Sequence, residues 1–228
     1  MSAKPSNLRI AIVDYGLGNL FSVVNACGNA GIDAYITSSP AEILAAPAVI
    51  LPGVGAFRDA MECLHRIDLV GPLRDYANSG KPLFGICLGQ QLLFSESEEF
   101  GSTKGLDILK GTVRRFDNPR DERGRALKVP HVGWNLAVPP ADRPDAWRGT
   151  PLEPHGREAM MYFVHSFFVV PDDPGAVLAM TTYGDQEFCS AVRNGGTYAF
   201  QFHPERSGTE GISFYRKVRD IISDNQNH

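Results

Sequence analysis

A cysteine stands between two glycines in Gly85-Ile86-Cys87-Leu88-Gly89, where an apolar run ends and two glutamines, Gln90 and Gln91, follow. A thiol in this G-x-C-x-G setting has the layout of a nucleophile elbow, with the reactive group on a tight strand-to-helix turn. Small flanking residues let the chain turn sharply, and the start of a helix favours a thiolate electrostatically. The backbone N–H of Leu88 is then placed to meet an oxyanion. The plainer reading of the same residues is a buried structural cysteine in a glycine-rich turn, and the pentapeptide alone does not choose between the two.

A nucleophilic thiol needs a base, and the base needs a group that orients it. Residues 201–208 read QFHPERSG, with His203 and Glu205 two apart after an extended run. A period of two points both to one side of a strand, so Glu205 can fix the tautomer of His203. For His65, His131, His155, His165 and His228 the default is a structural or exposed role rather than catalysis. A third piece is PGVGAF, residues 52–57, after an apolar run. Strand ends in a doubly wound sheet converge on one crevice, and glycines there allow close backbone approach and a second oxyanion donor. Taken alone, it is also an ordinary strand-to-helix turn.

The surrounding chain has the pattern needed to hold these groups. LRIAIVDY (8–15) is a continuous β-branched run, as in a strand buried on both faces. Asn19 is placed to cap a helix that runs to about Ala30 and stops at Gly31. IDAYITS, AVILPGVGAF and KPLFGIC read as further strands. FRDAMECLHR, LVGPLRDYANS and LGQQLLFSES read as helices, with Pro72 in a first turn or as an interruption. The alternation predicts an α/β fold with a doubly wound, mainly parallel sheet flanked by helices. Beyond about Gly101 the strands LKGTVRRF, YFVHSFFVV, AVLAMTTYG and EFCSAVRNGGTYAFQF predict antiparallel additions, with a hairpin turn at residues 194–196. Residues 117–126 and 138–158 read as surface loops. One domain is expected over residues 8–222, with flexible tails at 1–7 and 223–228.

Composition narrows the function. The net charge is −4 and no basic stretch stands out, so nucleic acid is not an expected partner. The most apolar stretch, MMYFVHSFFVV, is too short to span a bilayer. The first residues, MSAKPSN, lack the apolar region of a signal peptide. Cys27, Cys63, Cys87 and Cys189 are far apart with no C-x-x-C, which argues against disulfides or structural zinc and fits a reduced, cytoplasmic setting.

Taken in order, PGVG, GICLGQQ and HPE resemble the triad-type (class I) glutamine amidotransferases. DYGLGNL (14–20), PGVGAF, KVPHVGWN (128–135) and YFVHSFF (162–168) look like the glutaminase subunits of imidazole glycerol phosphate synthases, over roughly residues 8–220. The resemblance implies Cys87 as nucleophile, His203 as general base and acid, and Glu205 as orienter. It implies an oxyanion hole at Leu88 and the Gly53-Val54 turn. Glutamine would be held by Gln91, by the backbone near Gly55 and by His165, Ser166 and Phe167. Asn19, His131, Trp134, Asn135 and Arg206 would lie at the partner interface and ammonia route. The implied partner is a (β/α)₈ cyclase in a heterodimer, the substrate L-glutamine, and the pathway histidine biosynthesis, with no metal or organic cofactor. DYGLGN is not read as a phosphate loop, because it lacks the third glycine of G-x-G-x-x-G. Gln90 and Val132 stand where Met is common, Phe168 where Tyr is common, and Arg206 where Lys is typical. Arg206 keeps the charge and changes its fork geometry. Glutaminase subunits of other synthases, such as sugar-amidating ones, share most of these motifs. An elbow-cysteine redox or stress protein would need no HPE.

Overall fold

Alternate residues of the first strand enter different cores. In β1 (Arg9–Val13), Ile10 and Ile12 join one apolar cluster and Ala11 and Val13 the other. A strand buried on both faces needs cover on both. The computed structural model describes residues 9–226, so the expected first tail and residues 227–228 lie outside the described residues. The chain continues through α1 (Leu20–Asn29), β2 (Asp33–Thr37), α2 (Pro40–Ala45), β3 (Val49–Gly53), α3 (Phe57–Arg66), α4 (Val70–Asn78) and β4 (Leu83–Cys87). Asn19 caps α1 through its side chain, which accepts from the Ser22 N–H at 3.3 Å. Pro72 sits in the first turn of α4, where its missing N–H leaves no gap.

After β4 come α5 (Leu88–Leu92), β5 (Phe94–Ser97), β6 (Thr103–Lys104), β7 (Leu109–Arg115), β8 (His131–Ala137), β9 (Ala159–His165) and β10 (Phe167–Pro171). Then follow β11 (Val177–Tyr183), β12 (Gln186–Asn194), β13 (Thr197–Phe200) and α6 (Gly208–Gln226). The main sheet runs β2-β1-β3-β4-β13-β12-β10-β7-β5-β6, with β11 on β12. Its first five strands are parallel and most of the later pairings antiparallel. β8 and β9 form a separate antiparallel pair. This is the doubly wound α/β sheet with antiparallel additions. No helix among the described residues is long and apolar enough to cross a membrane.

Four local expectations change. LGQQLLFSES is helical only to Leu92; residues from Phe94 pair with β7 instead. The run YFVHSFFVV breaks at Ser166 into β9 and β10, which join different sheets. Loop 138–158 is not wholly at the surface: Trp147 is buried, its indole N–H donating to the Leu178 carbonyl at 2.8 Å. Residues 223–226, expected in a tail, are the last turn of α6.

Candidate active site

β3 and β4 lie side by side with Gly53 opposite Cys87. Cys87 ends its strand at φ 55°, ψ −112°, a conformation that a side chain disfavours and the surrounding packing must hold. The flanking glycines show how it is held. A Cβ on Gly89 would stand 1.8 Å from the Leu51 carbonyl oxygen, and one on Gly85 3.0 Å from the Gly89 carbonyl oxygen. α5 therefore lies directly on the backbones of both strands. Gly53 is equally confined: a Cβ there would be 2.1 Å from the Tyr15 hydroxyl oxygen, which donates to the Pro52 carbonyl at 2.8 Å.

His203 and Glu205 arrive from the end of β13. They meet through a short 3₁₀ turn, Pro204–Arg206, rather than through the strand alternation that the sequence suggests. His203 Nδ1 donates to Glu205 Oε1 at 2.7 Å, and both side chains are almost wholly buried. The proton on Nδ1 leaves Nε2 as the ring's working atom, without a hydrogen-bond partner among the described residues. Burial alone would lower the His203 pKa, but a thiolate at Cys87 and the Glu205 carboxylate outweigh it and raise the value to about 10. Ser207 fixes the local backbone, accepting from the Tyr162 N–H and donating to the His203 carbonyl.

Cys87 and His203 open into one cavity of about 330 Å³. Val54, Gly55, Leu88, Gln91, His165, Ser166 and Phe167, all expected near the reaction, line it too. Gln91 spends both amide hydrogens on the Phe167 carbonyl and on Gln201 Oε1, each at 3.0 Å, which leaves its Oε1 to face a ligand. Gln201 was not singled out in the sequence. Its Nε2 donates to Cys87 Sγ at 3.7 Å. Two residues before His203 on the same extended stretch, it carried a signal only through that spacing. The Val164 carbonyl, 3.9 Å from Cys87 Sγ, and Glu99, which accepts from the Phe57 N–H at the cavity wall, left no signal.

The residues expected at an interface divide. Cross-strand pairs place Val132, Trp134 and Leu136 of β8 on one face with Met160 and Tyr162 of β9. Trp134 is 54% exposed, and the Arg206 guanidinium lies 4.6 Å above the Tyr162 ring. Asn19 stands at the start of α1. His131 and Asn135 take the opposite, inward face, where His131 is buried. Among the described residues no three His, Cys, Asp or Glu gather as a metal site would require.

A buried thiol and an oriented imidazole around a small cavity suit acyl transfer from an amide. Comparison with known proteins agrees. The sequence matches the family "Glutamine amidotransferase class-I" over residues 11–218. It is 44% identical to "Imidazole glycerol phosphate synthase subunit HisH" of Syntrophotalea carbinolica, covering 93% of this chain and all of that one. The protein of the same name from Moorella thermoacetica is 45% identical, covering 93% of this chain and 95% of the other. Among solved structures, one described as "Crystal structure of glutamine amidotransferase" superposes with a TM-score of 0.68 at 22% identity, over 94% of this chain and 99% of that one. The chain belongs to the class I glutamine amidotransferase family.

Proposed function

We propose that this chain is the glutaminase subunit of an imidazole glycerol phosphate synthase, a cytoplasmic enzyme of histidine biosynthesis. The observation that carries the reading is that His203, held by the buried Glu205, lines one cavity with Cys87. The Cys87 thiolate attacks the side-chain amide carbon of glutamine. The tetrahedral oxyanion is met by the Leu88 N–H and by an N–H of the Gly53-Val54 turn, where one donor is typically worth about 3 kcal/mol of barrier. Protonated His203 gives its Nε2 proton to the departing nitrogen, and ammonia leaves. Water, deprotonated by His203, then opens the glutamyl thioester to glutamate. Glu205 holds the ring and offsets the imidazolium charge throughout.

Ammonia released to water would be protonated and lost, so an acceptor must receive it directly. Among the described residues, thirteen strands and six α-helices contain no eight-fold βα repeat that would build a cyclase barrel. The exposed apolar face around Trp134, with Arg206 beside it, is where a (β/α)₈ cyclase would dock and form a heterodimer. The test is reconstitution. With a histidine-pathway cyclase and its phosphoribulosyl substrate, glutamine should yield imidazole glycerol phosphate and glutamate in equal amounts. Glutamine turnover coupled only to a different synthase would overturn the pathway assignment and leave the glutaminase chemistry standing.

A further inference from the structure

Behind the cavity runs a file of polar groups whose donor and acceptor roles are fixed from both ends. At one end, the Asn135 amide is oriented by backbone: Oδ1 accepts from the Leu136 N–H and Nδ2 donates to the Thr182 carbonyl, each at 2.8 Å. The remaining Nδ2 hydrogen faces His131 Nε2 at 3.3 Å, so that nitrogen must be the acceptor. At the other end, the Phe167 carbonyl lies 2.8 Å from His165 Nδ1, so that nitrogen must carry a proton. Between them, His131 Nδ1 and His165 Nε2 are 3.1 Å apart. One assignment satisfies every link: both rings neutral, each protonated on Nδ1, with His131 donating to His165. Burial supports it, lowering the His131 pKa to about 4 and the His165 pKa to about 3.

The file does not stop at Phe167. The same carbonyl accepts from Gln91, Gln91 donates to Gln201, and Gln201 donates to Cys87 Sγ. We propose that His131 is a positioning residue for glutamine hydrolysis, transmitting the orientation of Asn135 through His165 to the Phe167 carbonyl and so holding the Gln91 and Gln201 amides against ligand and thiol. The inference rests on the proposed glutaminase activity and adds to it a group that never touches the substrate. The competing account is packing alone, since the His131 ring stacks 4.1 Å from that of Tyr183 and 5.1 Å from that of Phe163.

Two measurements on the full chain decide. Histidine-selective ¹⁵N NMR at pH 7 should show His131 and His165 both neutral with the proton on Nδ1. An imidazolium or an Nε2–H tautomer in either ring would overturn the relay. Two variants, assayed with the cyclase bound, then separate relay from packing. His131→Phe keeps the ring and its stacking but offers no hydrogen bond. His131→Gln loses the ring but has a donor and an acceptor in the same order. The relay predicts that Phe raises the glutamine KM about fivefold, roughly what one misplaced hydrogen bond is worth, with a smaller fall in kcat. Gln should stay within about twofold of wild type by the same measure. Equal effects, or Phe performing better than Gln, would leave only packing. If neither variant folds, the wild-type tautomers decide alone. A wild-type chain without glutaminase activity would end the proposed function and the role in hydrolysis together, whereas the tautomers would still report on the relay.

Discussion

Cys87 holds a backbone conformation that costs free energy, and it shares a cavity with the His203 ring, which a 2.7 Å bond to Glu205 orients. Burial raises Cys27 and Cys189 to about 12, which keeps them as inert thiols at neutral pH. Of the four cysteines Cys87 lines the cavity and the others do not, so a glutamine-analogue electrophile should label Cys87 and spare Cys27, Cys63 and Cys189; peptide mapping that found the adduct elsewhere would sink the assignment. Glu205 is expected to act on rate rather than on fold. Glu205→Gln should lower glutaminase turnover by about 10²–10⁴-fold, since an amide holds the ring without offsetting its charge. An unchanged rate would make Glu205 a purely structural acid. His203 also carries a pH signature. Its folded value, about 10, lies above the ordinary 6.5, so its contribution to stability is full below pH 6.5 and is lost as pH rises towards 10. Cys87→Ala removes the facing charge and should bring the His203 titration down, as followed by the NMR shift of its Cε1 proton. Cys87 and His203 stood out in the sequence because cysteine and histidine are scarce, four and six in the chain, and sat in punctuated motifs; Glu205, one of 26 acidic residues, stood out only by its place two residues after His203. Gln201 and the Val164 carbonyl were not, because an amide or a main-chain oxygen gains meaning only from what it faces.

The elbow works because α5 lies on β3 and β4 without a side chain between them, which gives the two glycines opposite roles from those elsewhere. Gly89→Ala would drive a methyl into the Leu51 carbonyl, at 1.8 Å before any shift. The expected loss is about 1–3 kcal/mol or more, together with displacement of Leu88 and its N–H. In α1, a Cβ on Gly28 would meet nothing within 4 Å. Gly28→Ala should therefore stabilise by about 0.5–1 kcal/mol through helix propensity. Thermal unfolding of the pair, with activity alongside, checks the contrast; a Gly89→Ala protein as stable and active as wild type would refute the packing account. The sequence showed β1, β3 and β4 clearly, because strands buried on both faces read as continuous apolar runs. It did not show where α5 stops. LGQQLLFSES has helical periodicity throughout, and only the ladder between Phe94–Ser97 and β7, formed with residues fifteen or more positions away, turns its second half into a strand. The break at Ser166 was hidden for the same reason, since local apolarity says nothing about which of two sheets a strand joins. α2 was legible but went unread: Ser39 caps it, with Pro40 at its first position and Glu42 three residues after the cap.

Taken together, the described residues bring a thiol and an oriented imidazole to one cavity and leave an apolar face exposed, and the proposed function gives the consumption of ammonia to a partner. The outward stripe of Val132, Trp134, Leu136 and Met160 lies on β8 and β9, and β9 also supplies the carbonyl of Val164 beside Cys87. A partner seated on that stripe would rest on the strand whose Val164 carbonyl lies beside Cys87. If nitrogen release belongs to this chain and nitrogen capture to its partner, the two steps can be separated by one substitution. Cys87→Ala removes the nucleophile and leaves a small side chain on the elbow, so folding and docking should survive. With the cyclase present, this variant should make no imidazole glycerol phosphate from glutamine at any concentration. Excess ammonium salt at alkaline pH should restore product, because unprotonated ammonia then reaches the acceptor site from solvent. The assay is product formation with each nitrogen source in turn, alongside wild type. Continued use of glutamine by the variant would show that Cys87 is not the nucleophile. Failure of ammonium to rescue, with the complex still assembled by size-exclusion chromatography, would show that this chain contributes to acceptor chemistry as well, and the division of labour would be wrong.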